Sequence, residues 1–480
     1  MADFSTEFQR GWLTSESMVQ LKIFGDNSLN MWKSKFEGQQ LCVKVSSSED
    51  SQNWSVFEVA NLNNEGGKLQ PQMEGGIVYH ETDFILFQAQ VLEISSVAFT
   101  VEISLSTNDF PGKLIGFCYL MPRHFKSTTG TVKETIISPV SEAIGEIKIE
   151  FLVIHPIKQV SYDFAISFAK YWDPELNCID IGHRGLGNSF LKAKTKCSPF
   201  RENTLMSFKQ AYFHGGDMVE MDVQLSKDHI PVIYHDFQFC TISLPKDSKK
   251  KEQLIPIQLK SLSLEELRGL KIDHVHAGKK EFDGNTPWHD AFPTLEEALE
   301  KIDPNCGFNI DIKWDMMLKN GTNECLSPIE INIFLDAILD IVHKSKKSKH
   351  RKIVFSSFSP DVCTAVRVKQ NRYPVLLLTQ GVNTKYPEYA DPRTWTIENG
   401  SNFVAVAEIL GVSAMAEDIQ PSQVQLIKNR DQVIFAWTDA NSDARTDQKC
   451  SGIQYQLECQ RYQWQNRLSS CLLQWSSQNS

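Results

Sequence analysis

Four stretches of this sequence end in side chains that can do chemistry on a charged ester. Ile181-Gly182-His183-Arg184-Gly185 closes an apolar run with an imidazole and a guanidinium. Glu220 and Asp222 stand two apart in the next run, and His235-Asp236 ends the one after. Further on, Asp311 and Lys313 are again two apart. In a strand, residues i and i+2 share a face at about 7 Å. Two carboxylates held that close repel unless a cation sits between them. With Asp311 they offer three oxygen donors, a set suited to Mg²⁺ or Ca²⁺. Two histidines beside a hard cation fit acid–base work on an ester. Arg184 and Lys313 add fixed positive charge for an anionic group such as a phosphate. Each piece alone has a plainer reading, as a turn or a solvated strand face. Their order, and their shared place at strand ends, separates them from that background.

The elements that must position these residues change character near residue 157. Before it, runs rich in β-branched and aromatic residues recur, among them 18–24, 40–45, 76–92, 97–105 and 145–156. In the last, Ile147, Ile149, Phe151 and Val153 alternate with Glu146, Lys148, Glu150 and Leu152, the period of a half-buried strand. Residues 1–157 are therefore expected to form a β-sandwich-like domain. A connector follows at 158–177. Strand candidates then alternate with amphipathic segments: 178–183, 218–224, 230–235, 308–313, 352–357, 374–379, 411–415 and 432–438. About eight such units over 178–440 predict an α/β (β/α)8 TIM-type barrel, whose active residues lie at the C-terminal ends of its strands. A doubly wound sheet is the alternative. Residues 218–236 leave no room for a helix between two runs, which suggests a hairpin at the barrel mouth. Asn203 reads as the N-cap of a helix over 204–214. The tail, 441–480, carries eight Gln and seven Ser without strand or helix period, and no element is expected there.

Composition excludes other classes. The chain has 480 residues, 41% hydrophobic and 22% charged, and a net charge of −10. That balance gives no electrostatic case for nucleic acid or an anionic membrane as partner. Eleven cysteines are irregularly spaced with no C-x-x-C pair, which fits reduced thiols in the cytosol. No signal peptide or integral membrane segment is read. His274-Val275-His276 lacks a carboxylate motif around it and is read as solvated. Trp12, Trp32 and Trp54 are expected to pack the sandwich core rather than stack on sugar.

The ordered run His183-Arg184-Gly185, Glu202-Asn203-Thr204, Gly215-Gly216-Asp217, Glu220-x-Asp222, Ser226-Lys227-Asp228, Pro231-Val232 and His235-Asp236 resembles the glycerophosphodiester phosphodiesterase signature. Asn309 to Lys313, Val354 to Phe358 and Trp437-Thr438 extend the match. Within that family the chain is most similar to the cytosolic glycerophosphocholine phosphodiesterases, over roughly 11–440. The resemblance implies metal-dependent hydrolysis of a small glycerophosphodiester, glycerophosphocholine first, to glycerol 3-phosphate and choline. Glu220, Asp222 and Asp311 would hold Mg²⁺ or Ca²⁺, His183 and His235 would serve as general base and acid, Arg184 and Lys313 would bind phosphate, and Glu202 would orient. Three departures stand out. The family's usual Glu is here Asp311. No complete starch-binding-type module precedes the barrel, so carbohydrate binding is not expected. The family's closing segment after the Trp strand is missing. Two rival readings follow: a lysophospholipase-D-type activity, and a catalytically impaired variant acting as a binding or regulatory protein.

Overall fold

A computed structural model describes residues 12–47, 57–64, 67–106, 112–157, 179–186, 200–243, 253–270, 291–382, 386–437 and 453–457. The connector at 158–177, Trp54, His274, His276, Thr438 and most of the tail lie outside them.

The N-terminal part is β1 (Ser17–Ile23), β2 (Leu29–Met31), β3 (Leu41–Ser47), β4 (Glu58–Asn61), β5 (Gln70–Pro71), β6 (Ile77–Tyr79), β7 (Ile85–Val91), β8 (Phe99–Leu105), β9 (Lys113–Leu120), β10 (Thr129–Ile137) and β11 (Ala143–Ile154). One layer runs β5-β4-β7-β1-β11-β10, with β2 on β11, and the other runs β9-β8-β3-β6. They join where Ile137 pairs Phe117. The period-2 pattern does what it should: Val19, Leu21 and Ile23 meet Ile147, Ile149, Phe151 and Val153 between the layers.

The break at Leu152 has a physical cause. Met18, Leu152 and Ile154 point the other way and are buried in a core shared with the C-terminal domain. Polar groups on that face are also satisfied across the boundary. Lys22 meets Asp361 at 2.6 Å, and Asn332 donates to the Val153 carbonyl at 3.1 Å. The tryptophan expectation is not met at Trp32, which is 51% exposed, while Trp12 is half-buried.

The C-terminal domain begins with β12 (Asp180–Gly182), α1 (Leu205–Phe213), β13 (Met218–Leu225) and β14 (Pro231–Ile233). A hairpin of β15 (Gln238–Ser243) and β16 (Gln253–Gln258) and the short helices α2 (Leu264–Arg268) and α3 (Leu295–Lys301) follow. Then come β17 (Gly307–Ile312), α4 (Ile331–Lys344), β18 (Ile353–Ser357), α5 (Pro360–Lys369), β19 (Val375–Thr379), α6 (Ile397–Ala407), β20 (Gly411–Met415), α7 (Pro421–Asn429), β21 (Val433–Trp437) and β22 (Ile453–Leu457). In α4, Ile331, Phe334, Leu335, Ile338, Leu339 and Val342 form the buried stripe that their spacing predicts. β14 folds back antiparallel on β13, as the short 218–236 stretch requires.

The regular (β/α)8 barrel is not what the chain forms. Seven parallel strands, β12, β13, β17, β18, β19, β20 and β21, curl into a barrel-type sheet. The remaining place, between β12 and β21, is taken by β22, antiparallel to both. The expectation that no tail element docks is thus corrected. Backbone ladders need no hydrophobic period, so the pattern of 441–480 did not show this strand.

Alternate residues of these strands face the inside of the curl. The lower layer is apolar: Ile181, Met218, Val354, Leu376 and Phe435. Two residues on, the same faces present His183, Glu220, Ser356, Leu378 and Trp437, and the layer becomes chemical.

Candidate active site

The charged residues meet because two parallel strands are in register. Asp222 on β13 lies beside Asp311 on β17, and Glu220 beside Asn309. Carboxylate oxygens of Glu220, Asp222 and Asp311 all come within 4.8 Å of one another, and all three residues are buried. Lys313 extends the β17 face, with Nζ 3.9 Å from both Asp222 and Asp311.

Arg184 arrives from a tight turn after β12. Its φ is 55° and that of Gly185 is 86°. A Cβ on Gly185 would lie 2.3 Å from Ser207 Oγ, so only glycine fits there. Ser207 Oγ donates to the Arg184 carbonyl at 2.9 Å and accepts from Leu186 N at 2.7 Å, which holds the turn. The guanidinium then reaches Glu202 at 2.8 Å and Asp222 at 3.6 Å, while the Arg184 amide donates to Glu220 at 2.7 Å. His183 Nε2 is 3.9 Å from Glu220 Oε2. His235 Nδ1 bonds Asp236 at 2.6 Å, which leaves Nε2 toward Lys313 Nζ, 3.5 Å away. The structure therefore brings Glu202, Arg184, His183, Glu220, Asp222, Asp311, Lys313 and His235 to one rim.

Three further side chains support this rim. Asn203 is not the helix cap; Thr204 is, accepting from Ser207 N. The Asn203 amide instead donates to Asp222 at 2.7 Å. Gln224 Nε2 lies at 2.7, 3.1 and 3.0 Å from the carbonyls of Tyr234, His235 and Asp236, pinning the His235 turn. Asp236 fixes the imidazole through Nδ1. The sequence held signals for two of them: Gln224 continues the i, i+2 face of Glu220 and Asp222, and Asp236 adjoins a histidine.

Electrostatically the three acids cannot all ionise side by side. Burial would raise Asp222, but His235, Arg184 and Lys313 outweigh it and hold it well below the usual carboxylate range. Burial, then Asp222 and Asp311, drive Glu220 well above that range. Burial pushes Asp311 up to about 7, with Lys313 opposing. Asp311 Oδ1 is buried and has no hydrogen-bond partner among the described residues. An orphaned oxygen, raised acids and an all-oxygen donor set fit a hard divalent cation. Among the described residues this is the one acidic group of that kind.

Comparison with known proteins finds two matching family models and several relatives. A family model described as "Glycerophosphoryl diester phosphodiesterase family" matches residues 183–463, and one described as "GDE1-like C2 domain" matches 13–158. The mouse "Glycerophosphocholine phosphodiesterase GPCPD1" is 38% identical over 341 residues, 67% of this chain and 49% of that protein. A Caenorhabditis elegans protein named "Putative glycerophosphocholine phosphodiesterase GPCPD1 homolog 1" is 30% identical over 396 residues, 76% of this chain and 55% of that protein. The chain thus spans about half the length of the curated relatives it matches. A crystal structure titled as a putative glycerophosphoryl diester phosphodiesterase from Silicibacter pomeroyi is 20% identical, with a TM-score of 0.39, over 54% of this chain and 82% of that one.

Proposed function

The chain belongs to the glycerophosphoryl diester phosphodiesterase family, with a C2-like domain before the catalytic-type sheet, and on that premise we propose that it hydrolyses glycerophosphodiesters, glycerophosphocholine first. The observation that carries this reading is the lateral pairing of Asp222 with Asp311 under Arg184 and Lys313. The named relatives support the choice of substrate.

Glu220, Asp222 and Asp311 would hold the divalent cation. When bound, it supplies positive charge to the phosphodiester oxygens. The chain's own residues do the rest. Arg184 and Lys313 bind the phosphate and stabilise the charge that builds on it. Glu202 and Asn203 keep Arg184 and Asp222 in place. Asp236 holds His235 with Nε2 facing the site and stabilises the imidazolium. One imidazole removes the proton of the attacking hydroxyl, either the glycerol 2-hydroxyl or water. The other protonates the departing choline oxygen. The products are glycerol 3-phosphate and choline, by way of a cyclic phosphate when the 2-hydroxyl attacks.

The impaired-variant reading rested on a missing closing element, and β22 now stands in that place. Among the described residues no helix is long and apolar enough to cross a membrane. The test is purified protein with glycerophosphocholine, glycerophosphoethanolamine and glycerophosphoinositol, each with Mg²⁺, Ca²⁺ or EDTA. The reading expects choline release with a cation and none with EDTA. Full turnover in EDTA would overturn the cation assignment, and no turnover of any diester would overturn the activity.

A further inference from the structure

The rim has two halves with different chemistry. On β12, β13 and β17 it is charged. On β19 to β21 the same layer is apolar and aromatic: Leu378, Met415 and Trp437 cluster with Phe358, which follows β18, and with Tyr386. The Trp437 ring stands edge-on to Phe358, with centroids 5.9 Å apart, and Tyr386 is 6.4 Å from Trp437. Phe358 also touches Tyr389 at 5.7 Å. The halves meet where Lys313 Nζ lies 5.7 Å from the Phe358 centroid.

One of its rings, Tyr386, sits on the loop after β19. The loop after β17 and the loop after β19 are zipped together: Lys319 N donates to the Glu388 carbonyl at 2.9 Å, and Ala390 N to the Met317 carbonyl at 2.8 Å. Tyr389 OH donates to Glu324 at 3.1 Å behind the rings. Trp437 stands on β21 itself, and the loop that carries Tyr386 is tied down two residues on, at Glu388.

An orphaned polar atom on the cluster itself marks this half as a place for a ligand. Trp437 Nε1 is buried without a hydrogen-bond partner among the described residues, on a residue 7% exposed. Asp418 Oδ2, after β20 at the same end of the sheet, is likewise buried and unpartnered among them. A Cβ on Gly381 would lie 2.0 Å from that oxygen, and Gly381 has a φ of 73°. Only glycine lets the loop after β19 approach the carboxylate so closely. A buried donor and a buried acceptor without partners call for explanation in a folded chain.

We propose that Phe358, Tyr386 and Trp437 form the headgroup pocket of the substrate and select a quaternary ammonium over a primary one. The proposal rests on the phosphodiesterase reading of the charged half. With the phosphate against Arg184 and Lys313, its two esters point away, and one crosses to the aromatic half. A trimethylammonium has no N–H to satisfy and sheds its water cheaply, so ring faces attract it well. A primary ammonium loses three hydrogen bonds to water at such a wall and gains none. Trp437 Nε1–H is a donor for a phosphodiester oxygen.

The test compares glycerophosphocholine with glycerophosphoethanolamine, which differ by the three methyl groups, in the wild type, Tyr386→Leu and Trp437→Phe. The wild type should favour the choline ester in kcat/KM by on the order of tenfold or more. Tyr386→Leu should raise KM for that ester about tenfold with kcat within about twofold, and leave the ethanolamine ester unchanged. Trp437→Phe keeps a ring and loses the donor, so it should slow both esters alike. Equal turnover of the two esters by the wild type, or an equal loss in Tyr386→Leu, overturns the pocket while the phosphodiesterase reading stands. Lysophosphatidylcholine hydrolysed faster than glycerophosphocholine would give the wall to an acyl chain instead, and also overturns it. If no diester is turned over, millimolar choline followed by ligand-observed NMR decides. Saturation transfer to choline that weakens in Tyr386→Leu supports the pocket, and no transfer from the wild type overturns it.

Discussion

Two clusters of charge are buried in this molecule, and they are built to opposite rules. Between the domains, Lys22 and Arg393 face Asp361 and Asp391, one base for each acid, at 2.6 to 2.8 Å. Burial would raise Asp361, but Lys22 and Arg393 hold it far below the usual carboxylate range. At the rim, Glu202, Glu220, Asp222 and Asp311 face Arg184 and Lys313, and all but one of the ion pairs among them are looser, at 3.6 to 3.9 Å. There Glu220 and Asp311 are raised, not lowered. A matched cluster holds two domains together. A cluster with surplus acid stores repulsion that a cation and an anionic substrate can relieve.

The comparison can be broken most forcefully at the histidines. His183→Ala and His235→Ala should each lower kcat by about 10²–10⁴-fold with glycerophosphocholine and leave the melting temperature nearly unchanged. A matching loss of stability would make them structural groups and remove the contrast.

Next in size is the interface. Asp361→Ala strands Lys22 in a buried setting and takes one of the two carboxylates from Arg393, and removing one partner of such a cluster costs about 3 kcal/mol, the low end because Asp361 keeps some solvent contact and Arg393 keeps Asp391. Denaturant titration should show that loss, while kcat at 20 °C stays within about twofold. An unchanged midpoint would mean the domains are held by the apolar contacts of Met18, Leu152 and Ile154 alone.

A single buried base gives a smaller effect and calibrates the others. Burial, aided by Arg372, depresses His343 to about 4. Below the free value of about 6.5 the unfolded chain binds a proton that the folded chain refuses, so stability present above pH 6.5 is lost as pH falls toward 4. The loss should be about 2 kcal/mol after allowing for partial exposure, and His343→Leu should flatten that part of the stability–pH curve. An unchanged slope in the variant would assign the acid sensitivity elsewhere.

The mildest change is Asp311→Glu, which restores the residue the family usually carries. It should tighten cation binding or leave activity equal. A loss beyond about tenfold, ~1.4 kcal/mol of barrier, would show that the rim is built around the shorter ligand.

Much of this was legible from residue order, and the reasons for the rest are specific. Strand faces were readable because period 2 reports burial, so Ile147 to Val153 and the Glu220–Asp222 face came out directly. What covers a face is not readable: Leu152 looked like an irregularity because its partner surface lies about 200 residues away, on α5 and its neighbours. Asn203 looked like a cap because an amide suits both a helix N-terminus and a carboxylate. The choice between them depends on where β13 sits. A basic stretch such as 344–352 suits a solvated helix end by its composition, yet its Arg351 is buried and donates to the carbonyls of Leu299, Ile302, Asp303 and Cys306 at the end of α3. The strand in the tail left no apolar period, because its contribution is a backbone ladder between β12 and β21.

The claim that the rim's surplus acid is a cation site is tested most directly by binding, not turnover. Mg²⁺ or Ca²⁺ titrated calorimetrically into EDTA-stripped protein should bind one per chain and raise the melting temperature by mass action, by about 2.7 kcal/mol of stability at a hundredfold excess over Kd. Glu220→Gln should abolish that gain, and Asp361→Ala should keep it from a lower starting point. No binding to the wild type, or binding undiminished in Glu220→Gln, would contradict the account.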